Sequence, residues 1–95
     1  MLSPQLFAQQ GIGTNVPDKS AALEIVSNQR GLLIPRFAIP DLEQGAPVTD
    51  PAHALLVFNN GEGVTTEPGF YWWDENANTG AGAWKAVTGV AGEPG

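Results

Sequence analysis

The sequence predicts a mainly β fold that consists of a small antiparallel hairpin, a three-stranded meander and one short helix. Gly and Pro are frequent, with 12 and 8 residues among 95, and they divide the chain into short segments. The apolar segments between them are too short for helices of ordinary length. Several of these segments lack a polar face, which is typical of strands that are buried on both sides.

The hairpin is predicted by two apolar segments that flank a polar turn. The first strand is expected at residues 21–27, of which residues 21–26 are apolar except Glu24. Residues 28–30 supply the turn, and the second strand continues from there to Pro35, whose missing N–H marks an exit or an edge. Neither strand has a side suited to solvent, so the hairpin needs a cover.

The short helix is expected at residues 39–45, which read IPDLEQG. A Pro at the first helical position, acidic residues in the first turn and a Gly at the end favour one or two helical turns. The meander follows, with strands at residues 54–58, 70–73 and 83–87. A turn joins the first two strands, and a longer loop at residues 74–82 joins the last two.

The aromatic residues of the meander are candidates for ligand or partner binding. Phe70 and Trp72 lie on one face of the predicted middle strand and Tyr71 and Trp73 on the other, so neither face is polar. Exposed Trp and Tyr rings can stack on sugars or anchor a protein interface. Packing inside the meander or against a neighbouring chain is the alternative. The candidate binding residues are Tyr71, Trp72, Trp73 and Trp84.

A chain of 95 residues forms one small domain. Such a domain buries only about 60 to 65% of the surface of its unfolded chain. The sequence contains no cysteine, so disulfides and thiolate metal sites cannot add stability. Strands without a polar face in so small a domain therefore predict association with copies of the same chain.

The charge balance argues against nucleic acid binding. Ten acidic residues stand against four basic ones, which gives a formal charge of −6, and the basic residues are scattered along the chain. No segment approaches the roughly 20 apolar residues of a membrane-spanning helix. We therefore expect no segment that crosses a membrane.

Catalysis has little support in the sequence. His53 is the only histidine, and no serine lies in a nucleophile-elbow sequence. Four acidic residues near the meander loops could pair for glycoside hydrolysis, but nothing in their spacing places two of them across a cleft. These residues are Glu62, Glu67, Asp74 and Glu75. Solvated turn residues are the simpler interpretation, and we expect no enzyme activity.

A calcium site in the last loop is also unsupported. Asp74, Asn76 and Asn78 alternate as the oxygen ligands of calcium-binding loops do. Gly80 comes one place too late, and Lys85 stands where the closing bidentate Glu is needed. Asx turns explain these residues better. The sequence predicts no metal ion and no cofactor.

The two ends of the chain differ from its centre. Residues 1–10 are either a signal-peptide remnant or an N-terminal arm that packs normally. Residues 11–88 form the β module. Residues 89–95 place Gly at every third position, so they are either a flexible linker or the start of a collagen-like Gly-X-Y segment.

Residues 11–88 contain, in order, the motifs GIGT, PDKSAALEIVSNQRGLLIPRF, PAHALLVFNN, GFYWWD and GAWKAV. This order resembles a repeating module found in secreted surface proteins of environmental Gram-negative bacteria and in fibre proteins of their phages. The sequence departs from that family at His53 and Ala54, where a Thr-Gly pair is usual, and in its longer loop at residues 74–82. The matching residues are Gly11, Ile12, Gly13, Thr14, Gly31, Leu32, Pro35, Arg36, Leu55, Leu56, Val57, Phe58, Asn59, Tyr71, Trp73 and Trp84.

The resemblance implies a non-enzymatic part of a trimeric stalk, fibre or adhesin, sometimes joined to collagen-like repeats. It implies that the β module is intertwined as a homotrimer, so that its principal partner is itself. It also implies a secreted, cell-surface or virion-fibre location. The alternative function is a module that binds a surface glycan or another surface protein through the aromatic residues of the meander.

Overall fold

The computed structural model describes residues 9–88, which form six short strands and one 3₁₀ turn at Asn78–Gly80. The chain divides into two compact units, Met1–Leu32 and Leu33–Gly95, which we call the N-terminal and C-terminal units. The predicted mainly β class is confirmed, with two sheets and almost no helix. Residues 1–8 of the predicted N-terminal segment and the predicted tail at residues 89–95 lie outside the described residues.

The N-terminal unit contains a pair of short parallel strands. Strand β1 spans Gln10–Ile12 and strand β2 spans Leu23–Ile25, and they pair in register with Ile12 opposite Ile25. Gly13 begins the connection at a φ of +84°, and a side chain there would overlap the backbone that follows β2. Only Gly combines a favourable positive φ with the absence of a side chain.

The predicted antiparallel hairpin is wrong. Its first strand exists in shortened form as β2, but β2 pairs in parallel with β1 rather than with residues 31–35, which contain no strand. The polar residues after β2 do form a turn, because Ser27 Oγ accepts hydrogen bonds from two backbone N–H groups within it. Pro35 offers no N–H for a ladder, although its carbonyl accepts a hydrogen bond from the Phe58 N–H at 3.0 Å, and Leu32 and Leu33 stay exposed.

The C-terminal unit contains a four-stranded sheet in the order β3, β4, β5, β6. These strands span Arg36–Phe37, Leu56–Asn59, Gly69–Asp74 and Ala83–Ala86. Each of the last three pairs antiparallel with its neighbour in the chain. Strand β3 is an addition to the predicted meander, and it lies parallel to β4 at one edge of the sheet.

One face of this sheet carries the hydrophobic core. Alternation along the strands directs Val57, Tyr71, Trp73 and Trp84 to the same side, where all four are buried. Ile39, from the segment between β3 and β4, is fully buried among them. The rings of Trp73 and Trp84 meet edge to face with 5.1 Å between centroids. Partly buried side chains packed against this cluster are Phe37, Leu42 and Val48.

The predicted helix at residues 39–45 is wrong, because these residues form turns. A helix would pair the carbonyl of Ile39 with the N–H of Glu43. Instead, that carbonyl accepts a hydrogen bond from Thr66 Oγ1 at 2.5 Å, and the Glu43 N–H donates to the Asp41 carboxylate at 2.9 Å. Long-range and local side-chain hydrogen bonds thus replace the helical ones.

Asn59, at the end of β4, is fully buried and ties several segments together. Its Oδ1 accepts hydrogen bonds from the N–H groups of Ile39 at 2.8 Å and Gly61 at 3.1 Å. Its Nδ2 donates to the Thr66 hydroxyl and to the Glu67 carbonyl, both at 2.9 Å. Both amide hydrogens and both lone pairs are used, so burial of this side chain leaves no polar atom unpaired.

Asn59→Ala is expected to lower the free energy of unfolding by about 3 kcal/mol, because it leaves the buried N–H of Ile39 without an acceptor and opens a cavity. Urea denaturation at a fixed protein concentration measures the change. Asn60→Ala is the matched control, since the Asn60 side chain accepts one hydrogen bond, from the N–H of the exposed Glu62. Its expected cost is below about 1 kcal/mol. Equal costs for the two variants would contradict the role given to Asn59.

A β-bulge precedes β4. The N–H of Ala54 donates to the Trp73 carbonyl at 2.7 Å, and the Trp73 N–H donates to the Leu55 carbonyl at 3.0 Å, so two residues oppose one. Ala54 has a φ of +76°, which is the left-handed conformation that Gly adopts at the first position of a G1 bulge. The departure from Gly at this position therefore carries a backbone strain.

Ala54→Gly is expected to raise the free energy of unfolding by about 1 kcal/mol, because it removes the cost of a Cβ in the left-handed region. Ala81→Gly is the control. Ala81 has a φ of −85°, so the same change there only adds freedom to the unfolded chain and is expected to destabilise by up to about 1 kcal/mol. Chemical denaturation of both variants gives the sign of each change in the free energy of unfolding. Destabilisation by Ala54→Gly would contradict the proposed backbone strain at residue 54.

Candidate assembly surfaces

The register of β1 and β2 places three apolar side chains, Ile12, Leu23 and Ile25, on one face of the N-terminal unit, together with Gln10. We call this surface the bare face. The three apolar side chains are 56%, 50% and 37% exposed. The bare face contains no charged residue.

The opposite face of this unit is covered by the loop between its strands. A Cβ on Gly11 would lie 2.7 Å from the Thr14 carbonyl oxygen and 2.9 Å from the Pro17 ring, so the loop packs directly on β1. Glu24, on the same side of β2, accepts a hydrogen bond from the N–H of Asp18 at 2.5 Å. The unit therefore has one covered face and one bare face.

Asp18 shapes the covering loop. Its carboxylate accepts hydrogen bonds from the Ser20 hydroxyl at 2.7 Å and from the Ser20 N–H at 2.8 Å. These two hydrogen bonds lower the pKa of Asp18 from its ordinary value of 3.8. Because the folded pKa is lowered, the contribution of Asp18 to stability is present at neutral pH and is lost as the pH falls through that pKa.

The N-terminal unit lacks a core. None of its described residues, 9–32, is buried. A two-stranded sheet is at best marginally stable in water. The unit therefore needs an external cover, and the bare face is the side that has none.

The second uncovered surface is the outer face of the four-stranded sheet. Leu56, Phe58, Phe70 and Trp72 alternate with the core residues and lie opposite one another in the register of β4 and β5. The rings of Phe58 and Phe70 meet edge to face at 4.9 Å, and Phe70 remains 49% exposed. We call these four residues the aromatic face.

Two basic residues border the aromatic face. Arg36 pairs with Phe58 across β3 and β4, and Lys85 pairs with Trp72 across β5 and β6. Both are exposed, and they are the only basic residues in the sequence of the C-terminal unit. The aromatic face is therefore apolar at its centre, and its border carries these two positive charges and the carboxylate of Asp74, which alternates with Trp72 along β5.

The structure separates the four candidate binding residues. Tyr71, Trp73 and Trp84 belong to the core, with exposed fractions of 4%, 6% and 2%. The Tyr71 hydroxyl donates to the Glu67 carbonyl at 2.8 Å, whereas the buried Trp84 indole N–H has no acceptor within residues 9–88. Of the four, Trp72 is the one on the aromatic face, where it is half-buried. Ligand binding by these residues stays a prediction.

His53 links the bulge before β4 to the loop after β5. Its ring meets the Trp72 ring edge to face with 5.8 Å between centroids. Its Nδ1 accepts a hydrogen bond from the N–H of Glu75 at 3.1 Å. Both contacts position the turn beside the aromatic face.

The loop at residues 74–82 consists of turns. The Asp74 carboxylate accepts a hydrogen bond from the N–H of Asn76 at 3.0 Å, as in an Asx turn. The 3₁₀ turn at Asn78–Gly80 follows. In the described part of the chain, no group of three His, Cys, Asp or Glu residues is placed to hold a metal ion.

An open groove lies between this loop and the segment that covers the core. Glu43, Asp50, Asn78 and Trp73 are among its lining residues. Stacking of a sugar in such a groove needs an accessible aromatic ring. Trp73 is buried, so the groove lacks the ring surface on which a sugar would stack.

Ile12 and Leu56 belong to the two uncovered surfaces but were not predicted as site residues. Ile12 lies between two glycines, which predict an irregular lead-in rather than a strand. Leu56 lies in an apolar segment whose two faces look alike in sequence, so its outward direction was hidden. The alternation of side chains along both β4 and β5 was the sequence pattern that could have indicated the outward direction of Leu56.

The contact between Gly82 and the Trp73 ring is tested by a matched pair of variants. Gly80 and Gly82 have φ values of +93° and +94°, so a Cβ strains both backbones alike. A Cβ on Gly82 would overlap the Trp73 ring at 2.1 Å, whereas one on Gly80 would meet nothing within 4 Å. Gly80→Ala is expected to cost about 1 kcal/mol, and Gly82→Ala about 2 kcal/mol more.

Denaturation followed by tryptophan fluorescence measures both costs. A Gly82→Ala variant as stable as Gly80→Ala would show that the Trp73 ring moves away without penalty, and would contradict close packing at this position.

A parallel ladder without a core and a sheet with an uncovered apolar face define a β module that associates with other chains. The chain belongs to the family described as the phage tail like trimerisation region, whose family model matches residues 11–93. No curated protein and no solved structure matches the chain significantly. The family membership supports a structural role in self-association. Within residues 9–88, no helix has the length and apolar character needed to span a membrane.

Proposed function

We propose that this chain is a non-enzymatic homotrimerisation module of an extracellular fibre, stalk or surface adhesin, on a cell or a virion. The distribution of apolar side chains carries the proposal. Among the described residues, eleven large hydrophobic side chains are exposed and five form the buried core. Exposed apolar surface of this kind marks an interaction site. The family supplies trimerisation as the interaction.

The mechanism consists of burial and strand packing. Three copies that cover part of one another's exposed apolar surface share a core that the N-terminal unit of one copy lacks. Trimerisation also holds three chain ends together, which lowers the entropic cost of starting a three-chain helix. The Gly period of residues 89–95 fits a collagen-like continuation of that kind, and a flexible linker is the alternative.

Sedimentation equilibrium over a range of micromolar concentrations tests the proposal. The expected result is a species of three times the chain mass whose thermal midpoint rises with protein concentration, because association stabilises the folded state by mass action. A monomer that stays monomeric and folded across the range would contradict it.

A second candidate function is binding of a surface glycan or another surface protein. The observation that favours it is the partial exposure of Phe70 and Trp72 on the aromatic face. A glycan array and a surface-protein pull-down with wild type and Trp72→Ala separate the candidates. A purely structural module shows no ligand to lose, whereas a binding module loses its signal in Trp72→Ala and keeps it in Val16→Ala, a change at a residue outside the aromatic face that is 81% exposed.

A further inference from the structure

We propose that the bare face of the N-terminal unit is the seam at which three copies of the chain meet. The inference rests on the proposed self-association and assigns it to particular residues. Ile12, Leu23 and Ile25 of each copy would pack against the same residues of two others around a threefold axis. The aromatic face would lie outside this seam.

The first argument is the difference between the two faces of the unit. The loop between the strands packs on Gly11 and bonds to Glu24, so that side is already closed. The other side presents three large apolar residues and buries none of them. Because the unit has no buried residue of its own, covering the bare face supplies the core that a two-stranded sheet needs.

The second argument is charge. Each copy carries a formal charge of −6, so three copies repel one another, and the repulsion is weakest where the surfaces in contact are free of acidic residues. Near a threefold axis, each side chain also faces two copies of itself, and any charge there meets two like charges. The bare face has no charged residue, and its one polar member is Gln10.

The aromatic face does not meet this condition. Arg36, Lys85 and Asp74 lie at its border, so three such faces around one axis would bring six positive and three negative charges close together. The C-terminal unit also has its own core and does not need the aromatic face covered in order to fold. Both observations favour the bare face as the seam.

A cross-linking experiment tests the seam in a trimer that is otherwise intact. The chain has no cysteine, so Ile12→Cys and Val16→Cys each introduce a single thiol. Val16 is 81% exposed and lies in the loop that covers the opposite face. With a copper oxidant, two of the three Ile12→Cys thiols near the axis are expected to be oxidised to a disulfide, which gives covalent dimers on a non-reducing denaturing gel at least tenfold faster than Val16→Cys. Equal rates would overturn the proposal.

A substitution series tests whether the seam is required. Ile25→Asp places a charge on the bare face and is expected to be monomeric at concentrations where wild type is a trimer. Val16→Asp and Phe70→Asp, the latter on the aromatic face, are expected to remain trimeric. All three tryptophans lie in the C-terminal unit, so an unchanged fluorescence spectrum of Ile25→Asp shows that this unit is still folded.

The outcomes separate the seam from the proposed function. If wild type is a trimer and Ile25→Asp is also a trimer, the seam is overturned and trimerisation stands. If Phe70→Asp dissociates, the aromatic face belongs to the seam and the assignment to the bare face is overturned. If wild type is itself a monomer, the proposed function fails before any variant is compared.

Discussion

The side-chain amide of Asn59 is the interaction on which the C-terminal unit depends. It fixes the segment that covers the core, through Ile39, and the end of the loop before β5, through Thr66 and Glu67. Thr66 in turn satisfies the carbonyl of Ile39, and Tyr71 donates to the carbonyl of Glu67. Apolar alternation decides which face of the sheet is buried, but it does not decide which loop covers that face. The hydrogen bonds of Asn59 favour the segment that contains Ile39, because displacing that segment would leave the buried Oδ1 of Asn59 without one of its donors.

Long-range hydrogen bonds of this kind mark the limit of what the sequence could predict. The strands β4, β5 and β6 are visible in sequence because their apolar and aromatic residues are consecutive and are separated by turn residues such as those of the 74–82 loop. The helix expected at residues 39–45 is absent because a hydroxyl distant in sequence takes the carbonyl of Ile39. Local capping signals carry no information about such a partner. The parallel pairing of β1 and β2 was not predicted for a related reason. Strands of three residues give too short a pattern to identify the segment with which they pair.

The sequence likewise identified one of the candidate surfaces in part and missed the other. Sequence identified the aromatic cluster as the constellation with binding potential, and the structure assigns most of it to the core. Trp72 remains on the outer face because it alternates with Tyr71 and Trp73 along β5. The bare face could not be found from apolar content alone, because residues 21–26 contain a single polar residue, Glu24, and read as a strand that is buried on both sides. Its two faces become distinct only when Glu24 is held by Asp18 and the loop covers that side.

Large rings let a small unit close its core with few residues. A buried Tyr or Trp removes roughly 150 to 250 Å² from water, so three such residues with Val57 and Ile39 suffice for the C-terminal unit. The N-terminal unit has no aromatic ring in its described part and no buried residue. The C-terminal unit therefore has a core of its own, whereas in the proposed assembly the N-terminal unit gains its core from the other copies. Under the proposed self-association, this dependence would make the N-terminal unit responsive to protein concentration.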